Sequence, residues 1–156
     1  MVSKKTIPPD VFISYSHKNK KFCDELLKHL KPFVRSESIF VWSDAQIIPG
    51  DKWFDEIKHA LSVVTVVVFL VTSDFLASDF IHHHELGPTL RKAKKGKVRV
   101  LPVLVGTCSH ERTLLRNYQA ANSPDKPLTE MRPAERDRVW KKICGEIMGI
   151  AGAYGE

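Results

Sequence analysis

The stretch Val63-Val64-Thr65-Val66-Val67-Val68-Phe69-Leu70-Val71 constrains this chain more than any other. A run so β-branched and continuously apolar has no polar face to offer water, so as a strand it must be covered on both sides. It falls far short of the ~20 residues that cross a bilayer, so the cover has to come from the protein itself. Sheets covered on both faces are typically parallel and are built by strand-helix-strand crossovers.

The rest of the chain supplies that alternation. Asp10-Val11-Phe12-Ile13-Ser14-Tyr15 is a short β-rich run, followed by Phe22, Leu26 and Leu30 on one helical face, with Pro32 expected to stop the helix. Ile39 to Trp42 predicts a second strand, and after the loop Ser43 to Lys52 the residues Trp53, Ile57, Ala60 and Leu61 predict a second amphipathic helix. A helix follows the central strand from Ser73. Val98 to Val105 predicts a fourth strand, in which Pro102 cannot donate to a ladder and so marks an edge or a bulge. Beyond Gly106 only Thr113 to Tyr118 has helical character, and Leu128 is the candidate for a minimal fifth strand. Pro133 suits the first turn of a last helix whose apolar stripe is Val139, Trp140, Ile143 and Ile147, up to Gly149. The expected fold is therefore α/β, a doubly wound parallel sheet with helices on both faces and right-handed crossovers. Such sheets bind ligands beyond the carboxyl ends of the strands where strand order reverses, which in the order 2-1-3-4-5 lies between strands one and three.

At 156 residues the chain has the length of one ordinary domain. Its basic start leads into Pro8-Pro9-Asp10 instead of an apolar signal core, and Cys23, Cys108 and Cys144 are odd in number and lack CxxC spacing. A reducing, cytoplasmic setting fits both features, with no membrane partner. The net charge of +6 raises nucleic acid as a partner, and the densest run is Arg91 to Arg99. No aromatic residue interleaves it as a base-stacking surface needs, whereas cations and Gly96 are what a helix C-terminus favours, so nucleic acid is disfavoured.

The strand ends facing the expected crevice are Ser14-Tyr15-Ser16-His17, Ser43-Asp44 and Thr72-Ser73, small and polar, although Ser16 reads equally as a plain helix cap. His82, His83 and His84 do not make a metal site, because successive helical residues point ~100° apart and no second ligand cluster lies at suitable spacing. His82 and His83 are expected outside, and His84 partly packed. Ser78, Ile81 and Glu85 fall on one helical stripe, so an inward Ile81 carries Glu85 inward with it. Pro88 cannot donate to the His84 carbonyl, so the helix is expected to kink or restart just after Glu85. The spacing leaves two fates open for Glu85: a carboxylate presented at a break near the crevice, or a surface glutamate paired with Arg91 or Lys92. The long loop Asp44 to Trp53 carries Ile47 and Ile48 before Pro49-Gly50, residues that either cover a ligand or a second subunit or tuck under the loop.

These segments resemble the Toll/interleukin-1 receptor (TIR) domain. Asp10-Val11-Phe12-Ile13-Ser14-Tyr15-Ser16 looks like its first box, and Asp44 through Ile48-Pro49-Gly50 and Trp53 like its BB loop. Leu70 through Ala77-Ser78-Asp79-Phe80-Ile81, with Glu85-Leu86, resembles its central strand and C helix. The chain is similar in particular to bacterial members, and the likeness covers about residues 9 to 149 of what reads as a single TIR domain, 1–156. It departs from the commoner Ser-x-Trp-Cys-x-x-Glu pattern in having Phe80 for the tryptophan and Glu85 one residue further from Ser78.

The resemblance implies a flavodoxin-like fold with strand order 2-1-3-4-5, and two functions. Some members are non-catalytic modules that signal by TIR-TIR docking; others cleave NAD+ as substrate, needing no further cofactor and no metal, with a C-helix glutamate that Glu85 matches. By the same likeness Ser14, Tyr15, Ser16, Asp44, Ile48, Pro49, Gly50, Trp53, Ser78, Phe80 and Ile81 are the expected substrate-binding residues. The implied partners are NAD+, further copies of the domain, and a sensor on another domain or a separate protein. A nucleoside deoxyribosyltransferase of related fold also uses a glutamate, but the first box does not support it.

Overall fold

The computed structural model describes residues 9–43 and 53–154, the positions 53, 54, 56, 153 and 154 by their backbone alone. Its sheet has four parallel strands, β1 (Asp10–Ser14), β2 (Phe40–Ser43), β3 (Val66–Val71) and β4 (Arg99–Leu104), in the order β2-β1-β3-β4. All six residues of β3 are buried, as its unbroken apolar composition requires. Alternation along the pleat sends Phe12, Trp42, Val67, Phe69 and Val71 to one face and Val11, Ile13, Val66, Val68 and Leu70 to the other, so that each face has its own core. On the first lie α2 (Trp53–Val63), α3 (Ser73–Ala77), the short α4 (Asp79–Ile81) and α5 (Gly87–Lys94); on the second, α1 (Lys20–Arg35) and α6 (Pro133–Tyr154).

A polar clasp joins the outer pair of helices. Arg136 donates from Nε and Nη2 to the two oxygens of Glu25, at 2.9 and 3.1 Å, and from Nη1 to the Met131 carbonyl at 3.1 Å. Trp140 Nε1 also donates to Glu25 Oε1 at 2.9 Å, and the guanidinium lies 5.7 Å from the Phe22 ring centroid. The bidentate geometry fixes the register of α1 on α6.

Three sequence expectations need correction. Pro32 does not stop α1, which continues to Arg35. Pro32 and Lys28 are both exposed, so the Lys28 carbonyl that loses its helical donor faces water, while Phe33 and Val34 pack on the core and hold the last turn. The last helix likewise runs past Gly149 to Tyr154.

The fifth strand is absent among the described residues, and Leu128 lies in a 3-10 turn, Leu128–Glu130. An irregular strap replaces it. Ala121 N–H donates to the Pro102 carbonyl, Asn122 Oδ1 accepts from Leu104 N–H at 2.8 Å while its Nδ2 donates to Leu104 C=O at 2.9 Å, and Thr129 N–H donates to Val105 C=O. The Asn122 amide thus stands in for a neighbouring peptide group. Residues 102 and 104 point their backbone groups outward, so the missing N–H of Pro102 falls on the side where the ladder ends and costs β3 no partner.

Candidate active site

Strand order reverses between β1 and β3, and the loops leaving their carboxyl ends are tied across that point. Thr72 Oγ1 donates to Asn19 Oδ1 at 2.7 Å and accepts from Phe75 N–H at 3.0 Å, capping α3. Ser14 ends β1, is fully buried beside Phe69 in register, and by alternation points to the face that carries α5. Tyr15 goes the other way, into the core under α1 and α6, with its ring stacked on His17 at 5.6 Å and 28°. Ser16 accepts from Lys18 N–H, so it caps the short turn His17–Asn19.

Glu85 reaches this layer by an unusual backbone. Ser78 is extended and accepts from Ile81 N–H at 3.2 Å, starting α4, and residues His82–Leu86 then form a π turn before α5. Pro88 is the cause: it supplies no N–H to the His84 carbonyl, and the ladder shifts by one residue so that Gly87 N–H bonds His82 C=O. Of the kink or restart expected after Glu85, the structure shows a restart: the helix widens into the π turn and resumes as α5 at Gly87. Gly87 suits that close approach, since a Cβ there would press on the His82 carbonyl at 3.1 Å.

The consequence is that Glu85 is 0% exposed, with Ile81 and Leu86 buried beside it, and the reading as a surface glutamate is excluded. Lys92, its suggested surface partner, instead donates to the Leu61 carbonyl at 2.8 Å, closing the end of α2. His82 and His83 are exposed, and His84 is half-buried with its ring 4.8 Å from that of Phe80. Among the described residues no group of three or more His, Cys, Asp or Glu could hold a metal ion, and no helix is long and apolar enough to cross a membrane. The basic run ends as a helix terminus: Gly96 adopts φ 73°, and the N–H groups of Gly96 and Lys97 close on the carbonyls of Ala93 and Lys92.

Of the expected site residues, the structure thus gathers Ser14, Phe80, Ile81 and Glu85 on one face, with Ser78 as the cap that starts the segment, while Tyr15 packs on the other. Asp44, Ile48, Pro49 and Gly50, and Ile47 with them, lie outside the described residues; Trp53 opens α2. A cavity of about 730 Å³ lies elsewhere, along the open half of β4 between Arg99, Tyr118, Lys142 and Glu146. Sequence reasoning missed Asn19, whose role depends on a partner fifty-three positions away, and Thr89. The latter is 2% exposed and its hydroxyl has no partner among the described residues. Its spacing of four residues from Glu85 was the available signal.

A parallel sheet with its reversal between β1 and β3 and helices on both faces defines a flavodoxin-like α/β domain. The family profile described as TIR domain matches residues 11–137, and the chain belongs to that family. It is 28% identical over 144 residues to an uncharacterized protein, y4lF, of Sinorhizobium fredii (strain NBRC 101917 / NGR234). That match covers 92% of this chain and 44% of the relative, so the chain spans less than half of the relative's length. Family membership supports a role as a signalling module.

Proposed function

We propose that this TIR domain is an NAD+ glycohydrolase, assembled with further copies of itself and controlled by a sensor on another domain or protein. The observation that supports it best is the complete burial of Glu85 on the helix after the central strand, on the same side of the sheet as Ser14 at the strand-order reversal. Burying a carboxyl group costs free energy, and such groups cluster at functional sites.

The chemistry needs only one such group. In NAD+ the bond between ribose C1′ and the pyridinium nitrogen breaks with its electron pair going to nitrogen, so nicotinamide leaves neutral and takes no proton. An ordinary glycoside would need a general acid at this step. Positive charge grows on the ribose ring, and an ionised carboxylate held in a dry site stabilises it far better than water does. Water then adds to C1′ and loses a proton, giving ADP-ribose; capture by the adenine ring gives a cyclic isomer instead. Phe80 offers an aromatic surface at the same face.

The test is nicotinamide release by the concentrated or artificially oligomerised protein, with Glu85→Gln beside it. Loss of one such charge typically costs ~3 kcal/mol of barrier, a hundredfold or more in rate. A folded Glu85→Gln protein that consumes NAD+ at the parent rate would remove Glu85 from the reaction, and no nicotinamide release by the oligomerised parent would leave a purely protein-docking role.

A further inference from the structure

Two buried hydroxyls on the face of the sheet that carries Glu85 make no hydrogen bond among the described residues: Ser14 Oγ, 0% exposed, and Thr89 Oγ1, 2% exposed. Buried polar atoms are nearly always paired, so each exception asks for a reason. Thr89 is the more informative. A threonine in a helix can satisfy itself by donating to the carbonyl four residues back, here that of Glu85, and this one does not. Valine would fill the same volume without the desolvated oxygen.

Its position suggests what the oxygen is for. Thr89 lies one helical turn past Glu85, and both are buried, so the two side chains share the inward side of the segment. The π turn is what brings them there, since it spans His82–Leu86 and hands over to α5 just before Thr89. Thr89 also lies deeper than Glu85, further from the carboxyl ends of the strands, where substrate would enter.

We infer that Thr89 is a positioning residue: its hydroxyl is kept free so that it can donate to the Glu85 carboxylate and fix its direction once NAD+ occupies the site. Ser14, arriving from the strand, is placed to serve the same layer from the opposite wall. The inference rests on the NAD+ glycohydrolase reading above, and its test separates the two.

Steady-state NAD+ cleavage is compared for the parent, Glu85→Gln, Thr89→Val and Thr89→Ser in the full chain, together with thermal unfolding midpoints. Thr89→Val is expected to unfold at the parent midpoint or above it, to lose about tenfold or more in kcat with KM little changed, and to be rescued by Thr89→Ser, because a hydrogen bond to a charged group is at stake. If Glu85→Gln abolishes cleavage while Thr89→Val keeps the parent kcat, the inference fails and the glycohydrolase reading stands. If Glu85→Gln keeps the parent rate, Glu85 is not the group that acts and the inference fails with that assignment; if the oligomerised parent releases no nicotinamide, the glycohydrolase reading fails and the inference with it. A Thr89→Val midpoint well below the parent's, with Thr89→Ser normal, makes the hydroxyl a structural bond and also overturns the inference.

Discussion

Replacing Arg136 by methionine tests the clasp between α1 and α6 most directly. Methionine keeps an apolar stem against Phe22 but removes two bonds to the Glu25 carboxylate and one to the Met131 carbonyl. Exposed ion pairs contribute ~0–1 kcal/mol, whereas breaking a buried pair costs about 3–5 kcal/mol because the surviving charge is stranded. The side chains of Arg136 and Glu25 are 11% and 22% exposed, so this pair sits nearer the buried limit. Trp140 still donates to Glu25, which softens the loss. A destabilisation of about 3 kcal/mol at neutral pH follows. The pH dependence gives a second handle. Burial pushes the Glu25 carboxyl up, but the hydrogen bonds from Arg136 and Trp140, with the positive charge of Arg136, outweigh it and hold the group below its ordinary 4.5. A folded-state value below the unfolded one means stability that is complete above pH 4.5 and drains away as pH falls through the lower, folded value. Urea unfolding across that range should therefore show a wide gap between parent and Arg136→Met at neutral pH, narrowing in acid. A cost under ~1 kcal/mol, or a gap that stays constant into acid, would refute the assignment of the clasp as a desolvated pair.

Other substitutions probe the backbone of the site and the edge of the sheet. Gly145→Ala in α6, where an added Cβ meets nothing within 4 Å, should raise stability by up to ~1 kcal/mol, as helix propensity predicts. Gly87→Ala should show none of that gain, because its Cβ would press on the His82 carbonyl at 3.1 Å; equal stabilisation of the two in thermal melts would contradict the π-turn packing. Asn122→Ala strips partners from both the N–H and the C=O of buried Leu104, and should cost ~1–3 kcal/mol with faster amide exchange at Leu104.

Much of the fold was legible in the sequence because the signals were local and periodic. From Val66 on, the apolar run could only be a strand covered on both faces, although Val63 at its head ends α2 and is exposed; the spacing of Ile57, Ala60 and Leu61 could only bury one side of a helix, and Gly96 after a cationic turn reads as a stop. The inward turn of Glu85 was one of the two fates its spacing from Ile81 left open, and only the fold chose it. Other features depended on residues that meet only in three dimensions. Pro32 reads as a helix end until Phe33 and Val34 are seen packed on the core, and Leu128 reads as a strand until Asn122 is found occupying the edge of β4. Pro88 signalled an interruption, but a break and a π turn satisfy the same missing N–H, and the packing of Ile81, Glu85 and Leu86 chose between them. The bond from Thr72 to Asn19 leaves no periodic trace at all, and the spacing that puts Thr89 beside Glu85 does not say that its hydroxyl is stranded. Sequence by itself determined which faces had to leave water, since that depends on composition and period; the tertiary structure alone decided which polar atoms were left inside with them, since that depends on distances between segments far apart in the chain.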